Sequence, residues 1–331
     1  MIRERIVKHT WTTPCDSFPD KEASTACPAV WSFGVQIEGT QIVDTFAEAF
    51  RLRYARLIVT AHDRHWLQAA SDAACGYGTS VIGCDAEIGA EGFVDAAESP
   101  DGREGVSLLA FGFAAESLVK AVANRTAQCL LTCPTVNVFD GLPEAEERAP
   151  LGKHVRFFGD GFEKTKVFDG RRIWRVPVMD GEFLVEESIG IKKGVGGGNI
   201  ILQGASLEAA LTAARRAVDA IGEVPGTIAP FPGGVVRSGS KVGSRYAALR
   251  ASTNDAFCPS LVGRVESELV AGAVAALEIV IDGVDEGAIS TAMTAAMRAA
   301  AGCETLAIAA GNYGGKLGKF HFHLRQLLPT P

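Results

Sequence analysis

The feature that most constrains this chain is an order of elements that occurs twice. In the first half, alternation over 54–60 puts Ala55, Leu57 and Val59 on one side of a strand. Asp63 then caps a helix whose apolar positions Trp66, Leu67, Ala70, Ala73 and Ala74 recur at helical spacing until Gly76 stops it. A short strand over 79–83, an acidic and Gly-rich excursion through Ser99-Pro-Asp-Gly102, a strand over 106–113, a helix over 115–126 and a strand over 128–132 follow. The second half repeats this outline. A strand over 199–203 leads to a helix capped by Ser206, with Glu208 near its start, running to about residue 221. A short strand over 226–229 precedes a long Gly-rich excursion, 230–263, and then come a strand over 274–282, a helix over 286–301 and a strand over 305–309.

Two βαββαβ units argue for an α+β fold made of two duplicated ferredoxin-like lobes, with long insertions between strands 2 and 3 of each. Antiparallel sheets covered by helices on one face would leave both insertions free to build a cleft. Residues 45–50, ahead of the first unit, read as a short helical turn. Between the units, Phe139-Asp-Gly141, Phe158-Gly-Asp-Gly161 and Val167-Phe-Asp-Gly170 are turn signals, and Asp169-Gly170 closes a hairpin suited to packing or oligomerisation. The expected domains are an N-terminal lobe with its hairpin arm over 35–182 and a C-terminal lobe over 183–331. Residues 1–34 show no sustained period and lack the apolar stretch of a secretory signal, so they read as a disordered leader or a mis-assigned start.

A net charge of −7, with no interleaving of Lys, Arg and aromatic residues, gives no face for nucleic acid. The apolar runs are too short to span a bilayer, so a membrane role is not expected. The eight cysteines lack CxxC spacing and fit free thiols in a reducing compartment, the cytoplasm. Cys129 with Cys133, and His321 with His323, have no companions at ligand spacing, so no metal is expected.

The stretch Ala273-Val-Ala-Ala-Leu-Glu-Ile-Val-Ile-Asp282 carries the chemistry. Leu277, Ile279 and Ile281 mark one face of this strand, while Val274, Ala276, Glu278 and Val280 mark the other. So apolar a strand belongs inside a sheet, and its neighbourhood would keep Glu278 partly out of water, raising its pKa towards that of a proton donor near neutrality. A structural Glu reaching solvent from an edge, or paired with an Arg, is the alternative that spacing alone leaves open.

Around it stand Gly-rich loops. Pro230-Phe-Pro-Gly-Gly234 contributes Gly233 and Gly234, and Ser238-Gly-Ser-Lys-Val-Gly243 contributes Ser240 and Lys241. Ser252, Thr253 and Asn254 form a third candidate substrate-binding segment, and the string from Gly311 to Lys319 adds Asn312, Tyr313 and Lys316. Glycines let backbone N–H groups approach an oxyanion, and the lysines favour an anionic substrate. Three decoys fail on context. Gly311–Lys319 lacks the Ser or Thr of a phosphate loop, Gly194-Val-Gly-Gly-Gly198 precedes a strand, and Ser238-Gly-Ser-Lys241 is no helical nucleophile.

With Asp44-Thr-Phe-Ala-Glu-Ala-Phe50, Gly78-Thr-Ser-Val81, Pro143-Glu-Ala-Glu-Glu147 and Phe157-Phe-Gly-Asp-Gly161, these strings make the chain resemble the formylmethanofuran:tetrahydromethanopterin formyltransferases over about 35–328. The leader has no counterpart in that resemblance. It implies two ferredoxin-like lobes and direct transfer of a formyl group between the amine of methanofuran and N5 of tetrahydromethanopterin. Both carriers act as co-substrates, with no permanently bound cofactor. It places Glu278 at the family's proposed acid–base residue. It also implies either a homo-oligomer or a subunit of a bacterial formyltransferase/hydrolase complex, in which a non-catalytic scaffold is the competing role.

Overall fold

The computed structural model describes residues 35–168, 170–302 and 304–328. The leader 1–34 and the turn residue Asp169 lie outside the described residues. Phe168 and Arg171, flanking that turn, pair as a hairpin requires.

The fold is organised by two long strands. Phe46–Thr60 runs for 15 residues and Ser188–Gly204 for 17, and they pair antiparallel from Lys192 opposite Tyr54 to Gly196 opposite Phe50. Where a helical turn was expected over 45–50, residues 46–50 instead begin the first of these long strands. Ala and Glu favour helix there locally, but Phe320–His323 pairs with residues 46–49 and Gly196 pairs with Phe50, so sheet pairing overrides propensity.

Arg64–Cys75 forms as expected, with the Asp63 carboxylate accepting from the N–H groups of His65 and Trp66 and Gly76 at its end. Leu67, Ala70 and Ala74 face the core, whereas Ala73 is exposed. The second strand differs from expectation. Residues 79–83 are a turn, with the N–H groups of Gly83 and Cys84 both donating to the Ser80 carbonyl, and the strand is Glu87–Val94. It pairs in a hairpin with Gly105–Gly112, so this half has no long insertion between its second and third strands. Ala115–Arg125 continues into a wide π turn, Thr126–Leu130, where a strand was expected over 128–132. The strand that closes this βαββαβ order is Asn137–Asp140.

In this half the neighbours in the sheet run Glu87–Val94, Gly105–Gly112, Phe46–Thr60, Asn137–Asp140, all antiparallel. The second half gives Thr227–Ile228, Ala275–Gly283, Ser188–Gly204, Thr305–Ala309 in the same order, again antiparallel. Its helices are Leu207–Gly222, capped by Ser206, and Glu286–Ala300, capped by Asp285. Here the excursion between the second and third strands is long, as expected. It carries the small hairpin Lys241–Val242 with Ala251–Ser252.

Each half has its own core. One packs Leu67, Leu118 and Val122 from helices against Leu57, Val59 and Leu108 from the sheet. The other packs Ala210, Ala213, Ala217, Met293 and Met297 against Ile200, Leu202, Ile279 and Ile281. The alanines let both helices lie close to the sheet. The opposite face of the second sheet is thereby left to Glu278, Val280 and the returning excursion.

Candidate active site

Glu278 lies on Ala275–Gly283, the strand paired along its length with Ser188–Gly204. Its side is covered by the excursion, because Val236 and Glu278 exchange both backbone hydrogen bonds, at 2.7 and 3.2 Å. From that anchor the chain turns at Gly239 and sets Ser240 over the carboxyl group. The Ser240 hydroxyl donates to Glu278 Oε1 at 2.6 Å.

Glu278 is 3 % exposed, and its Oε2 is buried with no hydrogen-bond partner. Burial pushes its pKa up to about 7, against the smaller opposing effect of the hydrogen bonds from Ser240. The carboxyl is thus shielded from solvent, and among the described residues no ion pair locks it.

Gly239 is fixed by space and by backbone. Its φ is +69°, and a Cβ there would sit 2.4 Å from Cβ of Asn254. Gly239→Ala is therefore expected to displace Ser240 and lower turnover at this site at least about tenfold, while the fold survives in the cores of both halves. Steady-state rates beside far-ultraviolet circular dichroism check this, and a full rate would show that the loop tolerates the shift.

A cavity of about 360 Å³ opens beside this point. Phe50, Phe113, Phe231, Val280 and Leu317 give it apolar walls, and Ser240, Tyr313, Asn199, Glu48 and Glu87 supply polar ones. Tyr313 donates from its hydroxyl to the Ser240 carbonyl at 2.7 Å, and burial, with the Glu278 charge, pushes its pKa up to about 12. Asn199 holds Gly311 in both directions, accepting from its N–H at 2.6 Å and donating to its carbonyl at 3.0 Å.

Two further buried acids frame the cavity, and the sequence reading singled out neither. Glu48, 1 % exposed, accepts four backbone N–H groups, from Tyr313 at 2.7, Gly315 at 2.9, Leu317 at 2.6 and Gly318 at 2.5 Å. Burial acts to raise its pKa, but the four N–H donors outweigh it, and the net shift is downward. Glu87 and Asp282 share a hydrogen bond between their carboxyl groups. Val81 N–H donates to Glu87 at 2.9 Å and Gly197 N–H to Asp282 at 3.0 Å. Burial, with the neighbouring acid, pushes the Asp282 pKa far up, and burial raises that of Glu87.

The sequence-stated candidates divide. Ser240 and Tyr313 meet at Glu278 and line the cavity. Asn312 holds the adjoining loop, donating to Thr45 Oγ1 and the Phe46 carbonyl at 3.2 Å each. Ser252, Thr253 and Asn254 brace the excursion, bonding the carbonyls of Gly243 (2.7 Å) and Ser238 (3.0 and 2.9 Å). Lys241 forms an ion pair with Asp255 at 2.7 Å, and Lys316 is exposed. Gly233 sits at the exposed tip of its turn at φ +61°, whereas Gly234 is a packing residue whose Cβ would meet Val218 Cγ2 at 2.6 Å. Among the described residues no group of three or more His, Cys, Asp or Glu side chains is placed to hold a metal.

Residues 35–178 match the family model described as "Formylmethanofuran-tetrahydromethanopterin formyltransferase", and 181–327 match its "proximal lobe". The chain belongs to the formylmethanofuran–tetrahydromethanopterin formyltransferase family. The enzyme of that name from Methylobacillus flagellatus is 51 % identical over 301 residues, covering 88 % of this chain and 99 % of its own length. The one from Methanosarcina acetivorans is 48 % identical over 296 residues, covering 88 % of this chain and all of its own. Among solved structures, the formyltransferase/hydrolase complex of Methylorubrum extorquens with methylofuran contains a chain that superposes with a TM-score of 0.86. That chain is 45 % identical, and the match covers 90 % of this chain and 99 % of that one.

Proposed function

We infer that this chain is a formyltransferase that moves a formyl group between the amine of methanofuran and N5 of tetrahydromethanopterin by direct transfer. The observation that carries the mechanism is Glu278, buried, free of any ion pair, raised to about pKa 7 and set behind the wall of a 360 Å³ cavity. The attacking amine adds to the formyl carbon to give a tetrahedral adduct, and the other amine must gain a proton to leave. A carboxyl that titrates near neutrality can accept the proton of the attacking amine as its carboxylate and deliver that proton to the leaving amine. The oxyanion of the adduct falls to donors other than the N–H groups of Gly311, Tyr313, Gly315, Leu317 and Gly318, which already donate to Asn199 and Glu48.

The matching strand order of the two halves supports a duplicated ferredoxin-like architecture with lobes over 35–182 and 183–331. The family-model boundary at 178–181 fits that division. The apolar surface of the arm, with Phe157, Phe158, Phe162, Phe168 and Met179 exposed, suits contact with another chain in a homo-oligomer or a hydrolase complex. No helix among the described residues is long and apolar enough to cross a membrane.

Purified protein mixed with formyl-tetrahydromethanopterin and a methanofuran analogue is expected to give the formylated amine. Binding of both carriers without formyl exchange would instead support a non-catalytic scaffold subunit.

A further inference from the structure

Glu278 does not itself line the cavity. Ser240 does, and its hydroxyl covers the carboxyl at 2.6 Å. A hydroxyl has one proton to give and two lone pairs to receive. Here the proton is directed at Glu278, and Ser240 lies between that acid and the cavity. Three separate contacts fix its place: Tyr313 on its carbonyl, the Val236–Glu278 bridge before it, and the close approach of Gly239 to Asn254.

We propose that Ser240 is a catalytic residue whose hydroxyl passes protons between Glu278 and the reacting amine nitrogens in the cavity. The proposal rests on the formyl-transfer reading above. As the attacking amine forms its bond to the formyl carbon, its N–H proton moves to Ser240 Oγ and the proton of Ser240 moves to Glu278 Oε1. The formyl oxygen becomes the oxyanion. On collapse the carbonyl re-forms, Glu278 returns its proton to Oγ, and Oγ gives its proton to the departing nitrogen as that C–N bond breaks. One proton has passed from the incoming to the outgoing amine, and both side chains are restored.

The relay has a well-defined electrostatic setting. On the cavity side the Glu278 charge acts on the Tyr313 hydroxyl, and Glu48 and Glu87 also line the cavity. Arg237 and Cys258 line a second, small pocket that Glu278 also borders, and Lys241, next to Ser240, is neutralised by Asp255 at 2.7 Å.

The test is single-turnover formyl transfer by the full chain carrying Ser240→Ala, Ser240→Thr, Glu278→Gln or Ser240→Ala with Glu278→Gln. Carrier dissociation constants are measured alongside. Ser240→Ala is expected to lose about a hundredfold in rate with little change in binding, and Ser240→Thr to recover most of that loss. The double variant should be no slower than Glu278→Gln, because the two groups act as one unit. In mixtures of light and heavy water the wild-type rate should follow a curve that reports two protons in flight, and Ser240→Ala should not. A slow Glu278→Gln beside a Ser240→Ala within about threefold of wild type would overturn the relay alone, as would losses that multiply in the double variant. A full rate in Glu278→Gln would overturn the acid–base reading and the relay with it.

Discussion

Glu278→Gln is expected to slow formyl transfer by at least about a hundredfold, leave carrier binding nearly unchanged, and make the protein more stable above neutral pH. The stability effect has a definite sign. The Glu278 pKa is raised from 4.5 to about 7 by burial. Between those values the folded chain keeps a proton that the unfolded chain has released, so stability falls as pH rises through the window. Above about pH 7 the penalty is complete, and 1.36 kcal/mol per pKa unit makes it about 3 kcal/mol. Glutamine keeps the shape without the ionisation. Thermal melts should therefore show the variant several degrees above wild type at pH 8, with the gap closing below about pH 4.5. Equal melting at both pH values would mean that Glu278 meets more water than its burial implies. Wild-type turnover should inflect near pH 7, and that inflection should vanish with the carboxyl.

Glu48→Ala is expected to have the second large effect, through the backbone. One carboxylate satisfies the N–H groups of Tyr313, Gly315, Leu317 and Gly318, and its removal leaves four donors, one buried and three part-buried, without that partner. At about 1 kcal/mol or more for each stranded group the loss approaches 4 kcal/mol. It falls on the loop that carries Tyr313 and so on the setting of Ser240. Amide exchange at these four residues should speed up by about two orders of magnitude or more, while exchange in the core strands stays slow. Activity should fall with it. Unchanged protection at the four amides would show that the loop is held by something else. Because the Glu48 pKa is lowered, its stabilising effect is complete above the ordinary carboxylate range. It is lost on acidification through the lowered value, so wild type should come to resemble the variant in acid.

Helices and their ends were legible because their determinants are local. Asp63 and Ser206 cap their helices as the sequence implies, and apolar spacing over 64–75 and 207–222 identifies the buried faces. Glu278 was legible for a similar reason, since alternation along 274–282 puts it on the face away from Ile279 and Ile281. The failures share a cause of the opposite kind. Residues 45–50 contain good helix formers, and Glu87–Val94 contains two Glu and two Gly, so neither looks like a strand until its partners, 320–323 and 105–112, are in place. Glu48 sits more than 260 residues from the amides it binds, and Glu87 meets Asp282 across the two halves. No local period encodes such meetings. Gly-rich strings announced that loops turn tightly but not which way their side chains face, which is why Ser252, Thr253 and Asn254 proved to brace the excursion from within.

The pairing of Phe46–Thr60 with Ser188–Gly204 carries a consequence for how such a catalyst can be divided. The chamber takes Glu48, Phe50 and Glu87 from one side of the chain's midpoint and Asn199, Ser240 and Tyr313 from the other. Neither portion holds the whole chamber. Expressed as two polypeptides cut near residue 180, the pieces should be inert when kept apart and should recover turnover when mixed, with activity rising as the product of their concentrations.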